Sequence, residues 1–145
     1  MSTPRSVDPA SNTPTLISLA HLLVSRRVSE GVAGAGHRVK PSYGAVFAQL
    51  GPKGSRLTQL ARGAEMSPQA MGELVDELEG LGYVVRTPDP GDRRAKLITL
   101  TDSGRGISEA GRDSVAALER EITETLGERG HQQLRRLLVR LLEHD

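Results

Sequence analysis

The sequence contains no cysteine and few aromatic residues. Without cysteine the chain cannot form disulfides, bind a metal through thiolates or sense oxidants through a thiol. Phenyl and phenol rings occur only at Tyr43, Phe47 and Tyr83, so a surface of interleaved rings that stacks single-stranded nucleic acid is not expected. These absences exclude thiol chemistry and disfavour a single-strand binding protein.

Long hydrophobic runs are also lacking. No apolar stretch approaches the roughly 18 residues of a membrane-spanning helix, and no secretory h-region is visible, so we expect a soluble, cytoplasmic protein without a membrane partner. With 145 residues, 37% hydrophobic and 26% charged, the chain fits one globular domain or two small lobes that share a core. The formal net charge is only +1, so any attraction to phosphate depends on local clustering of basic residues.

The first part of the chain predicts an arm followed by two helices. Residues 1–14 are polar and contain three prolines, which favours a flexible N-terminal arm. Residues 15–36 carry a leucine-rich helical stripe that we expect to end at the glycines from Gly31 onwards. A second helix is expected after Pro41, ending at Gly51.

The segment from residue 57 to residue 81 predicts a helix-turn-helix. Thr58 is a plausible N-cap for a first short helix, and residues 64–66 have the length of the turn in such pairs. Ser67 and Pro68 then suit the N-cap and first position of a second helix, because serine accepts from an orphan amide and proline has no amide to leave unpaired.

The second of these helices has the pattern of a helix that enters a DNA groove. Apolar residues at helical spacing predict one buried stripe, formed by Met71, Leu74, Val75, Leu78 and Leu81. The opposite face is acidic except in its first turn. A recognition helix presents this first turn to base edges in the major groove.

A β-hairpin with a basic loop is predicted directly after this helix. Gly82 stops the helix, and residues 83–86 and 96–100 are β-rich runs that flank a loop dense in proline, glycine and aspartate. The loop carries Arg93 and Arg94, and we expect Asp92 to hold a guanidinium in a fixed direction. Such an arginine gains most in a narrow minor groove, where negative potential is concentrated. Taken alone, the loop is more typical of an ordinary solvated turn, but its place directly after a helix-turn-helix favours DNA binding.

These motifs together resemble the MarR family of bacterial transcriptional regulators. The resemblance is close over residues 40–105 and is carried by Leu57-Thr58-Gln59-Leu60-Ala61, Met66-Ser67-Pro68-Gln69-Ala70-Met71 and Pro88-Asp89-Pro90-Gly91-Asp92-Arg93-Arg94-Ala95-Lys96. It implies a mainly α (α+β) fold, a winged helix-turn-helix. It also implies a homodimer, usually a repressor, that binds a pseudo-palindromic operator in double-stranded DNA and is often released by a small aromatic or phenolic ligand.

The resemblance also implies roles for individual residues. Base reading falls to Ser67, Pro68, Gln69 and Ala70, minor-groove insertion to Arg94, orientation of Arg94 to Asp92, and phosphate contacts to Arg93 and Lys96. Proline offers no side-chain donor where many relatives have a polar residue, so the operator sequence is expected to differ. The ligand crevice of the family corresponds by position to His21, Arg26, Tyr43 and Phe47. Tyr43 and Phe47 are equally typical of a plain core between helices.

The C-terminal third predicts a dimerisation surface. Thr101 can cap a long helix whose inward positions include Ile107, Leu118 and Leu126, and a break is expected at Gly127 and Gly130. The last helix then carries five leucines in nine residues, from Leu134 to Leu142, and needs another surface to cover them. We expect the first helix to cover them, from the same subunit and from its mate. The predicted organisation is therefore an arm (1–14), a helical dimerisation region (15–36 and 102–145) and a winged helix-turn-helix (37–101).

Signals for enzymes, metals and cofactors are weak. Residues 31–36 have the outer spacing of a phosphate loop, but His37 replaces the required lysine. The four histidines show no i, i+4 pairing, and no serine or carboxylate pair has a catalytic context. We therefore expect a nucleoid-associated regulator with neither a metal nor a cofactor. The alternative is a winged-helix module for protein association that docks through the acidic helix face and does not bind specific DNA.

Overall fold

The structure of the protein, a computed structural model, describes residues 6–144. Residues 1–5, which belong to the predicted arm, and residue 145 lie outside the described residues. The elements in chain order are α1 (Thr13–Gly34), α2 (Tyr43–Gln49), α3 (Leu57–Gly63), α4 (Pro68–Gly80), β1 (Val84–Asp89), β2 (Asp92–Leu100) and α5 (Asp102–Leu142). This is a mostly helical winged helix-turn-helix, and the predicted fold class is confirmed.

Helix α1 begins earlier than predicted, and it ends at Gly34, one of the glycines where an end was expected. Asn12 is its N-cap, and the Asn12 Oδ1 atom accepts from the Thr15 amide at 2.9 Å, so the helix starts at Thr13, two residues before the predicted start. The helix also runs through Gly31, where a break was expected. A Cβ atom at Gly31 would lie 2.1 Å from Ser114 Oγ in α5. This glycine therefore allows two helices to approach each other closely.

The helix-turn-helix has one predicted cap and one unexpected cap. At the start of α4, Ser67 Oγ accepts from the Ala70 amide at 3.1 Å, with Pro68 in the first turn, as predicted. At the start of α3 the prediction of Thr58 is wrong, because the N-cap is Arg56. The Gln59 Oε1 atom accepts from the Arg56 amide at 2.9 Å and so satisfies a backbone donor at the helix entrance.

The hydrophobic core lies under the helix-turn-helix and the sheet. The predicted stripe of α4 faces inward, since Met71, Val75 and Leu78 are fully buried. Side chains of the neighbouring elements complete the same cluster, and its fully buried members are Leu60, Met71, Leu78, Ile98, Val46, Val75 and Val84. The exposed first turn of α4 is thus held on a rigid base.

The hairpin is longer than predicted, and it contains an irregularity. β1 and β2 pair antiparallel from Val84 with Leu100 to Pro88 with Lys96, and the next pair is Asp89 with Asp92. Three residues of β2, Arg93 to Ala95, therefore bulge out of the ladder. Ser55 adds a bridge to the other edge of β2, because its amide and carbonyl exchange hydrogen bonds with Ile98 at 3.1 and 2.8 Å.

One residue joins the sheet, the end of α4 and the start of α5. Thr101 caps α5 as predicted, since its Oγ1 atom accepts from the Gly104 amide at 3.1 Å. The same hydroxyl donates to the Gly82 carbonyl, and the Thr101 amide donates to the Tyr83 carbonyl at 3.1 Å. The three elements therefore meet at a hydrogen-bonded junction.

Helix α5 is interrupted at the predicted place, because Gly127 has a φ of 73° inside it. Before this kink, Ile107 and Leu118 are buried as predicted, but Leu126 is exposed. After the kink the leucines at 134, 137, 138, 141 and 142 are all at least 38% exposed. Their predicted burial against the first helix of the same subunit is wrong, because α1 packs on the earlier part of α5 around Ser114. Among the described residues, no helix combines the length and the apolar character that crossing a membrane requires.

Candidate nucleic-acid interface

The first turn of α4 presents polar and small groups to solvent. Ser67, Pro68 and Gln69 are exposed, and Ala70 is half-buried. The turn contains no acidic side chain. The hydroxyl of Ser67 is occupied by the helix cap, so Gln69 offers the carboxamide that can read a base edge. The positive end of the helix dipole adds to the attraction for phosphate.

The wing presents three basic side chains. Arg93 and Arg94 lie in the bulge of β2, Lys96 follows it, and all three are exposed. Within residues 6–144 none of them forms a salt bridge. Their charges are therefore available to a ligand.

Asp92 contacts Arg94 differently from the prediction. Its Oδ1 atom accepts from the backbone amide of Arg94 at 3.0 Å, and it does not pair with the guanidinium. An aspartate two residues upstream reaches a backbone amide without fixing a long side chain, which makes this turn contact the easier one to form. Asp92 thus shapes the bulge and leaves the Arg94 side chain exposed.

An ion pair between Arg56 and Asp89 at the wing tip was not predicted from the sequence. The Nε and Nη2 atoms of Arg56 donate to Asp89 Oδ2 at 2.9 and 2.7 Å, across 33 residues of sequence. Asp89 Oδ1 accepts from the Gly91 amide at 2.9 Å. The Gly91 amide, and then the Arg56 guanidinium, hold the pKa of Asp89 below its usual value of 3.8. Nothing local in the sequence connects positions 56 and 89.

Arg86 forms two further ion pairs, which offset part of the charge on the acidic face of α4. Arg86, on β1, lies between Asp76 and Glu79, at 2.7 Å from Asp76 Oδ1 and 2.9 Å from Glu79 Oε1. Its backbone amide also donates to Glu79 Oε2 at 3.1 Å. Because the pairs join β1 to α4, they also fix the wing relative to the helix.

A third ion pair on this face joins Glu77 to Lys40, in the segment before α2. The hydrogen bond from Lys40 lowers the pKa of the Glu77 carboxyl, and the same bond raises the pKa of Lys40. Beside them, burial and the nearby Glu77 charge raise the pKa of Tyr43. Glu77 is therefore ionised at neutral pH but faces a cation.

The sequence of this lobe is nearly neutral, but the ion pairs leave its positive and negative charges unevenly distributed over the surface. The carboxylates that oppose DNA binding are mostly paired, namely those of Asp76, Glu77, Glu79 and Asp89. In the described part of the chain, the basic side chains of the wing have no such partners. The potential at the wing is consequently more positive than the composition indicates.

The four candidate ligand residues lie in different surroundings. His21 and Arg26 are exposed on α1, and Arg26 lies 3.9 Å from Glu30, whereas Tyr43 is buried and Phe47 packs against the core. A cleft of about 690 Å³ lies instead between α1 and α5, and none of the four lines it. Its ionisable lining residues are Arg27, Glu30, His37, Glu109, Asp113 and Glu121.

The comparisons with known proteins agree with this geometry. The MarR family model matches residues 39–95, which contain the helix-turn-helix and most of the wing. The structure of CouR from Rhodococcus jostii RHA1 bound to p-coumaroyl-CoA is 30% identical and superposes with a TM-score of 0.71, covering 92% of this chain and 93% of that chain. The chain belongs to the MarR family of transcriptional regulators.

Two further relatives extend the comparison of this MarR-family regulator. The repressor CouR, bound to a 23-mer DNA duplex, is 26% identical, with a TM-score of 0.76, and the match covers 95% of this chain and 99% of that chain. The transcriptional activatory protein BadR of Rhodopseudomonas palustris is 39% identical over 56 residues, which are 39% of this chain and 32% of BadR. The match thus spans about a third of BadR. The prediction of a transcriptional regulator rather than an enzyme is confirmed by these relatives.

Proposed function

We propose that this MarR-family regulator is a homodimeric repressor that binds a pseudo-palindromic operator in double-stranded DNA. The observation that carries the proposal is that most acidic side chains of this lobe are ion-paired, whereas, in the part of the chain that the structure describes, the three exposed basic side chains of the wing are not. Ion pairs occupy three of the four carboxylates of α4 and Asp89 of the wing, while Arg93, Arg94 and Lys96 remain exposed beside a first turn without acidic residues. A positive wing next to an acid-free helix end suits a duplex, in which phosphates flank both grooves.

The proposed contacts follow from the positions of these groups. The turn from Ser67 to Ala70 enters the major groove, where the Gln69 carboxamide reads a base edge. Arg94 enters the adjacent minor groove, Arg93 and Lys96 meet phosphates, and Asp92 orients Arg94 through its backbone. That the similar repressor CouR is bound to a 23-mer DNA duplex supports binding of double-stranded DNA by this chain.

A dimer is supported by the apolar surface that the single chain leaves uncovered. The exposed leucines and isoleucine of α1 and the leucines after Gly127 belong to the proposed dimerisation region, residues 15–36 and 102–145. Residues 37–101 form the proposed DNA-binding lobe. Two such lobes related by a two-fold axis, with recognition helices about 34 Å apart, would meet successive major grooves on one face of a duplex.

We also propose that a small aromatic or phenolic effector binds this regulator in the cleft between α1 and α5. Its volume of about 690 Å³ suits a small molecule, and Arg27 and His37 line it with donors. The p-coumaroyl-CoA complex of CouR supports an effector of this class. The proposed site therefore moves away from His21, Arg26, Tyr43 and Phe47. A thermal-shift screen with phenolic acids and their thioesters, repeated with Arg27→Ala, tests it.

Selection of bound sequences from random duplex DNA, followed by fluorescence anisotropy, tests DNA recognition. We expect a palindrome-like site, affinity that falls steeply with salt, and a loss of about 1–3 kcal/mol for Arg94→Ala. The matched control is Arg112→Ala, because Arg112 is an exposed arginine of α5 and its replacement removes the same charge away from the wing.

A flat salt response with no sequence preference would instead support the alternative function, a winged-helix module for protein association. That alternative has less support because cations already cover much of the acidic face of α4.

A further inference from the structure

We propose that Arg56 is a positioning residue for the wing. By holding Asp89, its guanidinium fixes the bulge that carries Arg93 and Arg94, and it does not itself contact DNA. The inference rests on the proposed function where it concerns DNA affinity. Its structural part, that the Arg56 side chain orders the wing tip, holds with or without DNA.

The backbone of Arg56 is held on both sides. The preceding residue, Ser55, is buried and exchanges two hydrogen bonds with Ile98 in the middle of β2. On the other side, the Arg56 amide is capped by Gln59 at the start of α3. Gly54, with a φ of +92°, lets the chain pass close to β2, where a Cβ atom would lie 2.6 Å from Thr99 Cγ2. The guanidinium therefore extends from a fixed point.

At the wing tip the contacts continue from side chain to backbone. Asp89 receives two N–H groups from Arg56 on Oδ2 and the Gly91 amide on Oδ1, and its side chain is only 15% exposed. Asp92 Oδ2 lies 4.0 Å from Arg56 Nη2, while Asp92 Oδ1 accepts from the Arg94 amide. The Gly91 amide is thus connected to Arg56 through Asp89, and the Arg94 amide is connected to it through Asp92.

The same geometry argues against a direct phosphate contact by Arg56. Its Nε and Nη2 atoms are both directed at carboxylates, and the cluster of one guanidinium with two carboxylates has a net negative charge. Without Arg56, both carboxylates would lie unpaired near the phosphates of a bound duplex, and the turn would lose its fixed end. Arg56 therefore acts through Asp89 and Asp92.

The first test needs no DNA. Backbone ¹⁵N order parameters of the Gly91, Arg93 and Arg94 amides are measured by NMR in the full chain, in Arg56→Ala and in Arg56→Lys. We expect order parameters of about 0.85 in the parent and below about 0.7 in Arg56→Ala. Arg56→Lys, which keeps one ammonium group as a donor, should give intermediate order parameters. Arg62→Ala is the matched control, since Arg62 is an exposed arginine of α3 that has no salt bridge within residues 6–144. Unchanged order parameters in Arg56→Ala overturn the proposal.

The second test measures operator affinity in Arg56→Ala, Arg94→Ala and the double variant. A positioning role predicts a loss on the order of 10-fold for Arg56→Ala and a clearly smaller loss when it is added to Arg94→Ala, because part of its effect acts through the Arg94 contact. Losses that multiply in the double variant indicate an independent contact by Arg56 and contradict the proposal. If the parent binds no duplex specifically, the proposed function fails, and the order parameters still decide whether Arg56 holds the wing.

Discussion

The winged helix-turn-helix and the helical region differ in how completely one chain buries them. In the former, Leu60, Met71, Val75 and Leu78 are fully buried. In the helical region, by contrast, Leu137, Leu141 and Leu142 are 51%, 56% and 77% exposed. The reading lobe is therefore complete within the single chain, whereas the helices around it have an apolar surface that a second copy can cover. Folding and association should accordingly respond to different substitutions.

The largest effect is expected on association. Replacing Leu138 and Leu141 by glutamate in each proposed subunit removes four apolar side chains from the interface, each contributing about 1.5–3 kcal/mol when buried. We expect dimer affinity to fall at least about 100-fold, with a native NMR spectrum for the winged lobe. Analytical ultracentrifugation measures the change. As a control, Gln132→Glu with Gln133→Glu adds the same charge to the same helix. A dimer that survives the leucine substitutions would place the interface elsewhere.

The next largest effect is expected on the core of the reading lobe. Leu60→Ala leaves a cavity in a fully buried cluster and should lower the free energy of unfolding by about 2–5 kcal/mol. Leu142→Ala removes the same atoms from a side chain that is 77% exposed and should change little in the separated subunit. Urea denaturation measures both. Equal losses for the two variants would remove the distinction between the regions.

A smaller loss is expected at the junction of the two regions. A Cβ atom at Gly104 would lie 1.9 Å from the Tyr83 carbonyl oxygen, so Gly104→Ala must push α5 away from the sheet. We expect a destabilisation of about 1–3 kcal/mol by thermal unfolding. The control is Gly111→Ala, where a Cβ atom meets nothing within 4 Å and the substitution should stabilise the helix by about 0.5–1 kcal/mol. A tolerated Gly104→Ala would show that the junction can open freely.

The smallest effect is expected from acid. The pKa of Asp89 is lower in the folded protein than its usual 3.8, so the carboxylate stabilises the wing fully above about pH 3.8. This contribution is lost as the pH falls through the folded pKa. The Gly91 amide resonance should therefore stay constant between about pH 7 and 5 and move only below pH 3.8. A midpoint above that value would mean that the contacts from Gly91 and Arg56 do not form in solution.

Local patterns in the sequence predicted much of the fold. The stripe of α4, the Ser67 cap and the break at Gly127 each depend on residues within a few positions of one another, and all three are confirmed. Gly31 shows the limit of such reasoning. Its sequence context indicates a helix end, but its contact is Ser114, more than 80 residues away in the chain, and packing determines the outcome.

The candidate site was predicted only in part, because its exposed basic residues form a local pattern whereas its ion pairs join residues that are far apart in the chain. Exposed basic residues on a short hairpin are visible in the sequence, but the partners of the acidic residues are not. Arg86 joins two carboxylates of α4, and Arg56 joins Asp89, only after the wing folds back on the helices. The contact of Asp92 with a backbone amide also depended on the bulge, which the composition of the loop did not reveal.

The hydrogen bonds of Thr101 have a mechanical consequence. Because this one residue ties the start of α5 to the carbonyls of Gly82 and Tyr83, a tilt of the long helix turns α4 and the hairpin together. In the proposed dimer, the spacing between the two DNA-binding lobes would therefore follow from the angle at which the two α5 helices cross, with no rearrangement inside either lobe.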